Sequence, residues 1–161
     1  MSRLYTVPYT GTLTNAGGNS DLLEALPADD KPIKLRGFCL SQTSEVADAA
    51  EESLRISVIR MAATVTSGSG GSAVTPTTRD SADAAAGFTA ECNNATVATT
   101  SGTSTVSEEY GWNIRNSPLI VWYPDAQWAP KAKQGEGLFV RCQDTPADDI
   151  TVELTFFIEE E

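Results

Sequence analysis

The chain has no histidine. That removes Ser-His-Asp and Cys-His nucleophilic catalysis, imidazole metal ligation and a histidine-based pH switch. Cysteine is sparse: Cys39, Cys92 and Cys142 are the whole complement, with no C-x-x-C spacing, which argues against a zinc knuckle or a thioredoxin-type redox pair. Cys39 and Cys142 sit within apolar, strand-like runs and read as small core residues, consistent with a reducing compartment. Bases are few, 11 Lys and Arg against 22 Asp and Glu, for a formal net charge of −11. Nucleic acid and anionic membranes are poor partners for such a chain; a basic protein surface is a better one. Long hydrophobic runs are also missing. The longest strongly apolar stretch is LIVWY, 119–123, too short to span a bilayer, and MSRLYTVPYTGTL at the start lacks the apolar run of a signal peptide.

What is present is period-two alternation. In SLRISVIRM, Leu54, Ile56 and Val58 oppose Arg55 and Ser57; in ITVELTFFIE, Val152, Leu154, Phe156 and Ile158 oppose Thr151, Glu153 and Thr155. GLFVRCQ alternates in the same way, as a strand does with one face in the core and one in water. Further strands are expected at 4–13, 21–26, 32–41, 87–93, 103–114 and 118–123, separated by Gly, Pro, Asn and Asp clusters. Many short strands with turn-rich joins predict an all-β fold, an antiparallel, jelly-roll-like β-sandwich with long loops. SEVADAAEES, 44–53, is the one stretch of helical composition, so at most one short helix is expected there, with a loop as the alternative. PADD occurs twice, at 27–30 and 146–149, and reads as ordinary turn chemistry. Length and composition suit a single domain over 1–161.

The stretch GSGGSAVTPTTRDSADAAAG, 68–87, has one large aliphatic side chain, Val74. GSGGSA fits G-x-G-x-x-A after a strand, but VTPTT follows where a dinucleotide fold needs a helix, and no Lys follows for a P-loop. The segment is read as a long loop or arm within the sandwich, of the kind a neighbouring subunit orders, with Val74, Pro76 and Arg79 as partner-binding candidates.

No catalytic residue, metal ligand or cofactor is assigned. The acidic pairs lie at turns or on opposite faces of strands and match no glycosidase arrangement. Asp144, Asp148 and Asp149 could face a calcium ion but lack the EF-hand spacing. Asn94-Ala95-Thr96 is a glycosylation sequon read as a chance match. YGWNIRNSPLIVWYPDAQWAP, 110–130, holds all three tryptophans. These aromatics are core, an interface or a sugar-stacking platform. Trp112, Trp122 and Leu119 are the core candidates, whereas Tyr123 and Trp128, near Pro124 and Pro130, are expected to be exposed partner-binding residues.

Two long stretches, DDKPIKLRGFCLSQTSEVADAAEESLRISVIR (29–60) and GSGGSAVTPTTRDSADAAAGFTAECNNAT (68–96), resemble small proteins encoded in the structural gene modules of tailed bacteriophages. WYPDAQWAP and the acidic FFIEEE ending resemble them too. The resemblance implies a non-enzymatic virion component. A head decoration, or cement, protein is the first expectation. It would be made in the host cytoplasm and carried on the capsid surface. Its partners would be the major capsid protein and copies of itself, a trimer being the guess. The alternative is a tail or fibre module that binds host surface carbohydrate through Tyr123 and Trp128.

Overall fold

A computed structural model describes residues 2–44, 51–116 and 118–161. Fourteen strands lie among them: β1 (Arg3–Leu13), β2 (Ser20–Leu26), β3 (Ile33–Gln42), β4 (Ser53–Met61), β5 (Val65–Thr66), β6 (Ser72–Val74), β7 (Thr77–Thr78), β8 (Thr89–Cys92), β9 (Thr99–Thr100), β10 (Ser104–Asn113), β11 (Leu119–Trp122), β12 (Lys131–Ala132), β13 (Gly137–Cys142) and β14 (Ile150–Glu160). No helix occurs among the described residues. Most of the segment expected as a short helix or a loop, 45–50, lies outside them.

The long strands form two antiparallel sheets. One runs β11-β3-β14-β1 and the other β10-β4-β13-β2. Successive long strands change sheet at every step except β4 to β10, which is the connectivity of an eight-stranded jelly roll. The fold expected from alternation is therefore the fold observed. β1 and β14 hold the frame along an eleven-residue register from Arg3↔Glu160 to Leu13↔Ile150. Inward side chains of both sheets meet in one apolar core, including Tyr5, Val7, Leu35, Phe38, Ile56, Val58, Leu138, Val140, Leu154 and Phe156, all buried.

Three bulges re-aim side chains. Arg36 is the extra residue of β3, between Leu35↔Ile158 and Gly37↔Phe157. Leu22 is the extra residue of β2, which sets Asp21 opposite Arg141. Ser107 is the extra residue of β10, which sets Glu108 opposite Val58, on the inward side with Tyr110 and Trp112.

The segment between β4 and β10 departs from the sequence reading. The stretch 68–87 carries β6 and β7, and it is laid along its own domain. β8 extends the second sheet beyond β2 and β6 lies beyond β8, while β7 extends the first sheet beyond β1. These small-residue strands escape detection in the sequence because their partners, not their composition, make them strands. The glycines have a packing role. A Cβ on Gly68 would lie 2.4 Å from the Thr96 carbonyl oxygen, and one on Gly71 would lie 2.3 Å from that of Cys92. Only a residue without Cβ lets the two backbones approach this closely.

The same insertion roofs the outer face of the second sheet. Ile59, Met61 and Phe139 form a second buried cluster there with Ala98, and Leu26 and Val65 pack against it. Truncating the centre of this cluster, Phe139→Ala, is expected to cost about 3–5 kcal/mol and to open residues 62–103 to proteolysis before the rest of the domain. Urea denaturation and limited digestion followed by mass spectrometry measure both.

Candidate interaction surface

The roof is fastened by a buried polar network. Asp21 is fully buried, and Arg141 meets it with two hydrogen bonds, Nε to Oδ1 at 2.6 Å and Nη2 to Oδ2 at 3.1 Å. The Ala98 amide donates to Asp21 Oδ2 at 2.7 Å. Asn94, also fully buried, donates from Nδ2 to Glu24 Oε2 at 3.1 Å and to Glu91 Oε2 at 3.0 Å. Two amides of the glycine-rich stretch are satisfied within the chain: Gly68 donates to Glu24 Oε2 at 2.9 Å and Gly71 to Asn94 Oδ1 at 3.1 Å. Amides that would cradle a phosphate in a dinucleotide fold thus hold side chains of this chain. Burial also closes the sequon at Asn94 to modification.

Among the partner-binding candidates of this stretch, Val74 is half-buried and packs against the core. Pro76 is half-buried and Arg79 is exposed. The Arg79 amide donates to the Leu4 carbonyl at 3.2 Å, while its guanidinium has no ion pair with any described residue.

The aromatic stretch corrects one expectation directly. Tyr123 is 6% exposed and Trp122 is 52% exposed, the reverse of their expected places. Parity explains it. Val121 points into the core, so Tyr123, two residues on, follows it, while Ile120 and Trp122 point outward. Trp112 is core, as expected; Leu119, expected in the core, is half-buried and packs against it; and Trp128 is 69% exposed, as expected. With Tyr123 inside, the carbohydrate platform of Tyr123 with Trp128 is not formed. Tyr123 and Tyr110 instead both donate their hydroxyls to Glu108 Oε2, tying the β10 edge of one sheet to the β11 edge of the other. The bulge at Ser107 makes this clasp possible.

The acidic turn residues are also engaged. Arg55 binds Asp144 through Nε at 3.1 Å and Nη2 at 2.9 Å, and its amide donates to the same carboxylate at 2.7 Å. These contacts hold the Asp144 carboxyl below its ordinary range, the Arg55 side chain contributing most. Asp149 accepts the Asn15 amide at 2.8 Å. No group of three or more His, Cys, Asp or Glu side chains is arranged around a possible metal position among the described residues.

The surface left without a roof by the described residues is the outer face of the first sheet. Ile120 (69% exposed) and Trp122 stand on it. The Trp122 ring meets Phe157 of β14 edge-on, with centroids 5.3 Å apart. Cys39 pairs with Ile120 across the strands, and Gly37 with Trp122. Gly37 makes the ring stack possible, because a Cβ there would fall 2.6 Å from Trp122 Cε3. Beside Trp122 lies a hollow of about 290 Å³ lined by Ser2, Leu4, Arg36, Trp122 and Glu159. An ion pair lines it, Arg36 with Glu159 at 2.5 Å, and elsewhere on the sheet Lys34 and Lys131 both pair with Glu161. The two lysines sit opposite each other across β3 and β12, a repulsive arrangement relieved by the shared carboxylate, whose proton affinity Lys131 and then Lys34 lower.

No helix of the described residues is long and apolar enough to cross a membrane. No protein-family model matches the chain, and no curated protein matches it. Among solved structures, a chain from "Structure of infectious bursal disease virus Gx strain" matches at 14% identity and a TM-score of 0.20, covering 99% of this chain and 42% of that one. The present chain thus spans less than half the length of that neighbour, and at this TM-score the likeness carries no argument.

The edge clasp has a pH signature. Burial first, and the Glu108 carboxylate second, push the Tyr123 hydroxyl well above the ordinary tyrosine range and the Tyr110 hydroxyl above it. Tyrosines protonated in the folded chain and ionised in the unfolded one contribute full stability below pH ~10 and lose it as pH rises further, by about 1.4 kcal/mol per pH unit for each retained proton. Burial also pushes the Cys92 and Cys142 thiols up, to about 12 and about 11, so stability is expected to begin falling at pH ~9 and to fall more steeply beyond pH ~10, where the tyrosines add to the loss. Tyr123→Phe should lower stability at neutral pH by about 1.5–3 kcal/mol and make the alkaline fall shallower. Urea midpoints taken across the alkaline range, with phenolate absorbance followed in parallel, test both.

Proposed function

We propose that this chain is a non-enzymatic bacteriophage virion protein, a head decoration (cement) protein that binds the capsid shell and stabilises it. The observation that carries the reading is a jelly roll whose two outer faces differ. One is largely roofed by the chain's own insertion, with Val106 left half-exposed on β10, while the other leaves Ile120 and Trp122 in water. An acidic domain with a cluster of large apolar side chains exposed on one face is suited to being covered by protein there. The jelly roll is an architecture of viral capsid domains and of lectins alike, so it supports the reading without choosing it. The resemblance of 29–60 and 68–96 to phage structural-module proteins tips the choice to a virion part. On this reading the partners are the major capsid protein and further copies of the chain, with many weak contacts reinforcing one another. The exposed side of the insertion, with an Arg79 guanidinium that pairs with no described residue, faces the shell.

Particles stripped of this protein and then supplied with the purified chain provide the test. Cryo-electron microscopy should show density repeating over the icosahedral shell, and the shell should open at a higher temperature than in stripped particles. Arg79→Glu should leave the domain folded and lower shell occupancy. Density confined to the tail would replace this reading with the tail or fibre module, and absence from the particle would overturn both.

A further inference from the structure

The exposed strip on the first sheet needs an occupant, and its surroundings indicate which. We propose that the outer face centred on Ile120, Trp122 and Phe157 pairs with a second copy of this chain. The inference deepens the proposed function by naming what covers the face, but it concerns the isolated chain and can fail by itself.

The centre of the face is preorganised. Trp122 is held edge-on against Phe157 and lies over Gly37, where no side chain intervenes. A large aromatic already fixed in place loses little freedom when it is covered, which is the property of an interface anchor. The strand that carries it is also an edge. β11 pairs with β3 on one side, and no described strand pairs with it on the other. Unpaired strand edges are templates for further chains.

The charge pattern selects a second copy over an oppositely charged partner. With a net charge of −11, two copies repel over most of their surfaces. Near Trp122 both signs meet: Arg36 pairs with Glu159, and farther along the sheet Lys34 and Lys131 share Glu161, with Asp125 exposed in the turn that follows β11. Here two copies can approach without the general repulsion. A patch with an apolar centre and both signs on its rim is self-complementary about a twofold axis, each cation of one copy falling near a carboxylate of the other.

Sedimentation equilibrium of the purified full chain, from micromolar to near-millimolar concentration, tests this. The wild type should be a reversible dimer, and Trp122→Glu should weaken it roughly 30-fold or more. Ile120→Asp, at the most exposed position of the strand, should act in the same direction and serves if Trp122→Glu perturbs folding, which circular dichroism checks. Val106→Glu, on an exposed position of the other sheet, should leave the dimer intact. A wild type that stays monomeric throughout overturns the proposal, whether or not it binds shell protein through Trp122. So does an association that both substitutions on β11 leave unchanged.

Discussion

Asp21 is a carboxylate with no contact to water, and it is tolerated there only because two Arg141 hydrogen bonds and the Ala98 amide converge on it. A buried charge without such partners is strongly destabilising. The constraint reaches outward from this point. Arg141 belongs to β13 and Asp21 to β2, so the pair holds two strands of the frame in register. Ala98 belongs to the insertion, so the same carboxylate holds the roof down, and the backbones of Asp21 and Asn94 exchange two further hydrogen bonds. With the roof in place, Ile59 and Phe139 are covered and β2 has β8 beside it rather than an open edge. Asn94 then carries the fastening on to Glu24, Glu91 and Gly71.

The two outer faces are consequences of one rule. A strand that carries apolar residues on both faces needs cover on both, since one face alone meets the core. The second sheet meets this with residues of its own chain. The first sheet has Phe157 and Cys39 on its outer side, with Ile120 and Trp122 above them, and no segment of the described chain lies over these. The difference between the faces is therefore a statement about partners as much as about folding.

Much of the frame is legible in the sequence because β4, β13 and β14 interleave polar and apolar residues, and an alternation has only one reading as a sheet. β11 is legible as a strand but not in its orientation. LIVWY contains no polar residue to mark the wet side, so the expected sides of Trp122 and Tyr123 are the reverse of the real ones. The bulges at Arg36, Leu22 and Ser107 depend on cross-strand partners, and no local pattern announces them. The insertion is hidden for a related reason. Its strands are short and built of Ser, Ala and Thr, and they exist because β1 and β2 offer edges. The Asp21–Arg141 pair spans 120 positions, and the Glu108 clasp joins two sheets, so neither is visible before the topology is known. The glycines of GSGGS stand out in the sequence, but their reason is the nearby backbone of 92–96 and not a ligand.

The described residues close one face of the domain and leave the other open, with residues 62–103 an integral part of the folded domain. Native-state amide hydrogen exchange tests this most directly. The amides of Gly68, Gly71, Asn94 and Ala98 should exchange only through the same global opening that exposes β14, since each is donated to a buried group or lies within the fastening network. If those four amides exchange orders of magnitude faster than the core of β14, the insertion is a loosely attached arm, the second sheet has no firm roof, and the contrast between the two faces disappears.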